Sequence, residues 1–189
     1  MIYMAKNRGK QFEQVIKDCF EKVPGVSLDR LHDQTTGFKG SQNICDFVVY
    51  KEPYEYYIEC KSVHGNTFSI SSNDSSRVHG NITNTQWDGL LEKSKIPGVF
   101  AGIILWFIDK DKTFYIPIEL LQRAMYGNYK SLSLYVLGDL EKRYSIKPIE
   151  LKGKKKRVFF DYDMEELLND ISRYSAGSIQ NMGIRIPNL

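Results

Sequence analysis

The segment VFAGIILWFI, residues 99–108, runs without a charged residue through the middle of the chain. A helix that crosses a membrane needs about 20 such residues. This run is about half that length, so it reads as a buried strand and no transmembrane segment is expected. A second constraint lies upstream in ICDFVVYKEPYEYYIECKS, residues 44–62, where two apolar runs flank the turn-like KEPYE. They read as paired strands over about 44–51 and 55–62.

The rest of the chain supplies helices around these strands. Phe12, Val15, Ile16, Cys19 and Phe20 recur at helical spacing within 6–22, and PG at 24–25 ends that helix. VSLDRLHD (26–33) alternates enough for a first strand, and 33–43 is a polar, Gly-containing loop. Residues 62–81, rich in Ser, Asn, His and Gly, read as a long surface loop. A helix is expected from Thr83–Asn84 to the PG at 97–98. After the buried strand come a DKDK turn (109–112), the strand TFYIPI and a short helix over 118–126. YSIKPIEL and RVFFDY are weaker strand candidates around a basic KGKKK turn, and 163–175 reads as an amphipathic helix. This order predicts an α/β fold with a central mixed sheet flanked by helices. A single domain is expected over 1–189, with its core at about 5–120 and a strand and helix extension at about 140–175.

At 189 residues, 42% hydrophobic and 13% aromatic, the chain can bury a sizeable core without staples. Cys19, Cys45 and Cys60 show no CxxC spacing and no histidines at zinc-finger distances. An odd cysteine count with no signal-peptide pattern points to reduced thiols and a cytoplasmic protein. The net charge of +3 is mildly basic, and the cations cluster in MAKNRGK (4–10) and KGKKKR (152–157).

Acidic residues sit inside the two paired strands. Strand periodicity projects Glu59 and Lys61 from one face, with Cys60 on the other. The turn centre falls near 52–53, equidistant from Asp46 and Glu59, so these two carboxylates are expected as cross-strand neighbours. Like charges so placed repel unless a cation stands between them. Mg²⁺, commonly held by one or two acids plus waters, is the simplest such cation. Glu13 borders the apolar stripe of the first helix and can face the sheet. For each acid taken singly the plain alternative is a solvated carboxylate paired with lysine.

Taken together, Asp46…Glu59-Cys60-Lys61 after a helix bearing Glu13 resembles the PD-(D/E)xK nuclease superfamily, with its restriction-endonuclease-like fold. The resemblance sharpens towards RecU-type Holliday-junction resolvases, phage-encoded versions included. It rests on Asn7-Arg8-Gly9 with Glu13, on Asp46-Phe47 with Glu59–Lys61, on Thr67-Phe68-Ser69 and on Gln86. Ile44-Cys45 stands where the family motif often has Pro, and the family's long stalk has only residues 32–43 as a counterpart. The resemblance implies metal-dependent phosphodiester hydrolysis. Asp46 and Glu59 then bind Mg²⁺, or Mn²⁺ in its place, with the Cys60 backbone carbonyl completing the site and Glu13 serving a second ion or a water. Lys61 acts on the nucleophile, Gln86 positions water or phosphate, and the protein works as a homodimer on DNA.

Arg8, Arg30, Lys39, Arg77 and the group Lys154, Lys155, Lys156 and Arg157 are the candidate DNA contacts. His32, His64 and His79 are scattered and read as loop histidines, with His64 notable only for following Lys61 closely. Two alternatives stay open on the sequence. One is a restriction-type or nicking nuclease of the same fold; the other is a catalytically silent DNA-binding module.

Overall fold

The structure, a computed structural model, describes residues 8–31, 43–71 and 78–181. His32, Lys39 and Arg77 lie outside the described residues. Six strands form the central sheet: β1 (Ser27–Arg30), β2 (Phe47–Lys51), β3 (Tyr54–Val63), β5 (Val99–Phe107), β6 (Lys112–Pro117) and β8 (Ile149–Glu150). Two short pairs flank it, β4 (Phe68–Ser69) with β7 (Ser131–Leu132) and β9 (Gly153–Lys155) with β10 (Phe160–Tyr162). The helices are α1 (Arg8–Phe20), α2 (Asn84–Ser94), α3 (Ile118–Tyr126), α4 (Leu134–Arg143) and α5 (Met164–Asn181).

The sheet order is β1-β2-β3-β5-β6-β8. Among the described residues β3 and β5 alone pair in parallel, and α2 makes the crossover between them; the other neighbours are antiparallel. The uncharged run therefore fills an inner strand, buried from Ala101 to Phe107. A strand covered on both faces cannot alternate polar and apolar side chains, which is why its sequence reads as continuous.

Alternating side chains of the sheet feed two cores. On one face Ile58, Cys60, Ile104 and Trp106 pack with Phe12, Ile16 and Phe20 of α1 and with Leu167 and Leu168 of α5. On the other, Ile103, Leu105 and Phe107 pack with Trp87 and Leu90 of α2, Leu120 and Leu121 of α3, and Leu137 and Leu140 of α4. Each such side chain contributes roughly 1.5–3 kcal/mol on burial. The result is the mixed α/β sheet between helical layers that the sequence predicts.

Two local expectations change, and one further helix appears. The polar segment 62–81 is not wholly a surface loop: β3 continues to Val63, and Phe68, Ile70 and Ile82 are fully buried. Phe68 and Ile70, with Ile82 just past the segment, are too few to show a period, yet they fill the same core as Trp87 and Leu90 of α2, while Val78 stays exposed. The KGKKK stretch is not simply a turn, because Gly153–Lys155 form β9 and pair with β10. Helix α4 arises from a stretch with weak patterning, capped by the Ser133 side chain at Val136 N–H and buried mainly through Leu137 and Leu140.

Candidate active site

The β2–β3 hairpin decides which acidic side chains meet. Its register pairs Lys51 with Tyr54 and Phe47 with Ile58, and Asp46 N–H continues the ladder to Ile58 O at 3.1 Å. Asp46 therefore stands across from Glu59, as the turn-centred reading of the sequence places it. The Asp46 carboxylate Oδ2 accepts the backbone N–H of Cys60 at 2.7 Å. Burial, then the charge of Glu59, push the Asp46 pKa up to about 8 against that hydrogen bond.

Glu59 is only 3% exposed. Its Oε1 accepts from Gln86 Nε2 at 2.6 Å and forms an ion pair with Lys61 Nζ at 2.7 Å. Its Oε2 is buried with no hydrogen-bond partner. Burial raises the Glu59 pKa, the charge of Glu13 adds to the rise, and Lys61 opposes it. Holding a carboxylate this deep with half its acceptor capacity unused costs free energy, on the order of 1–3 kcal/mol for an unsatisfied group.

Helix α2 fixes Gln86. Thr83 is its N-cap, and a capping box links the Thr83 side chain to Gln86 N–H and Gln86 Oε1 to Thr83 N–H at 3.1 Å. The same Oε1 accepts from Lys61 Nζ at 3.2 Å, so Gln86 ties the helix start to both members of the Glu59–Lys61 pair. Gly89, three residues on, allows the helix to press on the segment leading into Asp46: a Cβ there would lie 2.6 Å from Ile44 Cβ. The T-x-x-Q pattern at 83–86 is the sequence signal for this anchoring.

Glu13 comes from α1 on the opposite side. Its Oε2 accepts from Arg30 Nη2 at 2.7 Å, and its charge is felt at both Asp46 and Glu59. Among the described residues no three His, Cys, Asp or Glu groups are gathered closely enough to hold a metal ion. What stands here is a two-carboxylate pair, Asp46 and Glu59, with Glu13 engaged by Arg30. Hard oxygen donors, mutual repulsion and the unpartnered Glu59 Oε2 fit a Mg²⁺-type cation, which takes one or two carboxylates and keeps waters.

The candidate DNA contacts are spread out. Arg30 lies beside Glu13, and the Gly65 N–H and His64 hold the Asp109 pKa down, with a smaller contribution from Arg8. Asp109 itself clamps the end of β3, holding His64 Nδ1 at 3.0 Å and Gly65 N–H at 2.6 Å. Acids pair with three of the five cations of the basic stretch: Lys152 with Glu166, Lys155 with Asp111, and Lys156 with Asp161 of the same hairpin at 3.3 Å. Among the described residues Lys154 and Arg157 form no ion pair. This hairpin touches the C-terminal part of α1, where Tyr162 N–H reaches Cys19 Sγ, about 9 Å of helix away from Glu13.

No family model matches the chain, and no curated protein matches it. Among solved structures it is similar to Hjc, a Holliday junction resolvase from the archaeal hyperthermophile Archaeoglobus fulgidus. The match has 18% identity and a TM-score of 0.45, over 68% of this chain and 90% of that one.

Proposed function

We propose that this chain is a divalent-metal-dependent endodeoxyribonuclease that acts on branched DNA, with Mg²⁺ as its cation and a homodimer as its working form. The observation that carries the chemistry is the Asp46–Glu59 pair. Two desolvated carboxylates face each other on adjacent strands, one oxygen of Glu59 has no partner, and Lys61 and Gln86 converge on the other. A fold that needed only stability has little use for that arrangement, because replacing buried ionic groups with apolar ones is often neutral or stabilising.

In this reading Asp46 and Glu59 hold the cation, with the Cys60 carbonyl and Glu13 as further donors. The cation supplies a water of lowered pKa and neutralises charge that develops on the phosphoryl group. Lys61 is positioned on Glu59 to orient the attacking water or to stabilise that charge, and Gln86 keeps the Lys61 ammonium and the Glu59 carboxylate in fixed relation. Arg8, Arg30, Lys39, Arg77 and Lys154–Arg157 are the proposed phosphate contacts. The choice of a four-way junction rests on the NRG…E and D…ExK resemblance, and a two-fold homodimer matches the symmetry of that substrate.

The test is cleavage of a labelled four-way junction and a matched linear duplex, with Mg²⁺ and with EDTA, by the wild type and Glu59→Gln. Paired, Mg²⁺-dependent nicks in the junction alone, reduced roughly 10³-fold or more in Glu59→Gln, are expected. Equal cutting of the duplex keeps the chemistry and removes the junction. Binding without cutting would leave a DNA-binding module.

A further inference from the structure

The parallel pair β3 and β5 ends in a cluster that the carboxylate site does not use. Register sets Lys61 across from Leu105 and Val63 across from Phe107, so both strands finish at the same edge of the sheet. In open α/β sheets ligands bind beyond the carboxyl ends of parallel strands. The residues that stand there are His64 and Gly65, after β3, and Asp109, in the turn Ile108–Lys110 after β5. The His64 Cα lies no more than about 11 Å from that of Lys61, because three residues of extended chain span no further.

Asp109 joins the two strand ends. Its Oδ2 accepts Gly65 N–H at 2.6 Å, and its Oδ1 meets His64 Nδ1 at 3.0 Å. Gly65 has a φ of 83°, in the region that favours glycine, and the chain bends there. The Gly65 hydrogen bond alone suffices to tie the strand ends together. The His64 bond adds little to stability, since the two side chains are 58% and 48% exposed.

What that bond fixes is the ring. A carboxylate only accepts, so Nδ1 carries a proton and the imidazole is held in one orientation. Among the described residues Nε2 makes no hydrogen bond. When the ring is protonated, Nε2 becomes a second donor, with the Asp109 charge in contact with the cation. The charged groups that face Asp109 are His64 and, from the start of α1, Arg8. Two cations then share one carboxylate, which leaves positive charge at the edge of the sheet beside Lys61. A phosphodiester, an anion that only accepts, matches that edge.

We propose that His64, oriented by Asp109, donates through Nε2–H to a phosphate oxygen of bound DNA a few nucleotides from the bond that is cut. One strand of a duplex advances about 3.4 Å along the axis per nucleotide, so about 11 Å corresponds to roughly three nucleotides. Asp109 is a positioning residue. The assignment rests on the reading of this chain as a nuclease centred on Asp46, Glu59 and Lys61.

The test is junction affinity by fluorescence anisotropy in Ca²⁺, over a salt series, at about pH 6 and about pH 8.5. It uses the wild type, His64→Gln, Asp109→Asn, their double variant and Lys154→Gln. At the lower pH, His64→Gln is expected to weaken binding roughly five- to tenfold, as loss of a charge-assisted hydrogen bond predicts. The slope of log affinity against log salt should fall by about 0.9, the share of one phosphate. At the higher pH the difference should shrink to about twofold or less, because the imidazole has lost its charge. With Asp109→Asn already present, His64→Gln should cost about twofold or less even at the lower pH, since the two residues act together. A structural His64 would shift the melting temperature and leave the salt slope alone. An unchanged slope in His64→Gln overturns the proposal, and so does an equal loss at both pH values. A loss that is the same with and without Asp109 overturns its positioning role. If the wild type binds neither junction nor duplex, the nuclease reading falls and takes this one with it. If Lys154→Gln lowers the slope and His64→Gln does not, DNA binding stands and only the His64 contact falls.

Discussion

Asp46 and Asp161 are aspartates in charged surroundings, and the fold drives them in opposite directions. Asp161 lies on the β9–β10 hairpin, where Lys22 and Lys156 hold its pKa down to about 2. Asp46 lies against β3, where burial and the neighbouring Glu59 lift its pKa to about 8. Neighbouring charges are part of the difference, since two lysines face Asp161 while Asp46 has one lysine against Glu59 and Glu13. The largest part is water. The hairpin carboxylate keeps its hydration and takes its lysines as a supplement, whereas the hairpin-end carboxylate of β2 has lost water and received one N–H in return. A carboxylate left where solvent stabilises it is ordinary surface; one buried so that it holds its proton to about pH 8 in the metal-free protein asks for a ligand.

The comparison breaks first, if it is to break, on Asp46→Asn. In the folded metal-free protein Asp46 keeps a proton up to about pH 8, while the unfolded chain releases it near the ordinary aspartate value of 3.8. Stability from this group is therefore fully present below about pH 4 and lost as pH rises through about 8. Thermal melts in EDTA are expected to show the wild type weakening across that window. Asp46→Asn should flatten the decline and be more stable at pH 9, by on the order of a few kcal/mol or roughly 5–10 °C. A wild type as stable at pH 9 as at pH 5 would mean that Asp46 is not held in the way described.

A middle-sized effect is expected at Gln86. Gln86→Ala removes the acceptor at Thr83 N–H, the donor to Glu59 Oε1 and the acceptor for Lys61. Denaturant titration should show a loss of about 1–2 kcal/mol. Cleavage should fall by more than that loss of folded population explains, since Lys61 and Glu59 are no longer tied together. A stability loss with cleavage intact would reduce Gln86 to a helix cap.

The smallest effect sharpens the other side. Asp161→Asn breaks exposed pairs with Lys22 and Lys156, and such pairs contribute about 0–1 kcal/mol. The change in stability at pH 7 should fall within that range and disappear in about 1 M salt, where the screening length is near 3 Å. The sign at low pH runs opposite to that at Asp46: stability from Asp161 is present above its ordinary pKa and lost as pH falls toward about 2. A large, salt-resistant loss would show that the hairpin is more tightly built than its exposure implies.

The site was legible to the extent that it is local. Asp46 and Glu59 meet because a turn lies midway between them, and Glu59 and Lys61 share a face because strands repeat every two residues. Gln86 was identified by resemblance, while its rigidity follows from the T-x-x-Q box around it. The Arg30–Glu13 pair was not legible, because it joins a strand to a helix 17 positions earlier and no period links them. Nor were the ion pairs of Lys152 and Lys155, whose acids Glu166 and Asp111 come from other elements. Phe68, Ile70 and Ile82 were hidden within a polar segment because periodicity needs neighbours and they have few.

By itself the sequence determined the layers, the inner strand and the register that sets two carboxylates side by side, since those follow from hydrophobic period and turn position over a few residues. Only the tertiary structure decided which charges lose their water and which keep it. Desolvation depends on everything packed around a group, and at Asp46 and Glu59 that includes a helix start, a glycine pressed on Ile44 and an arginine held by another carboxylate.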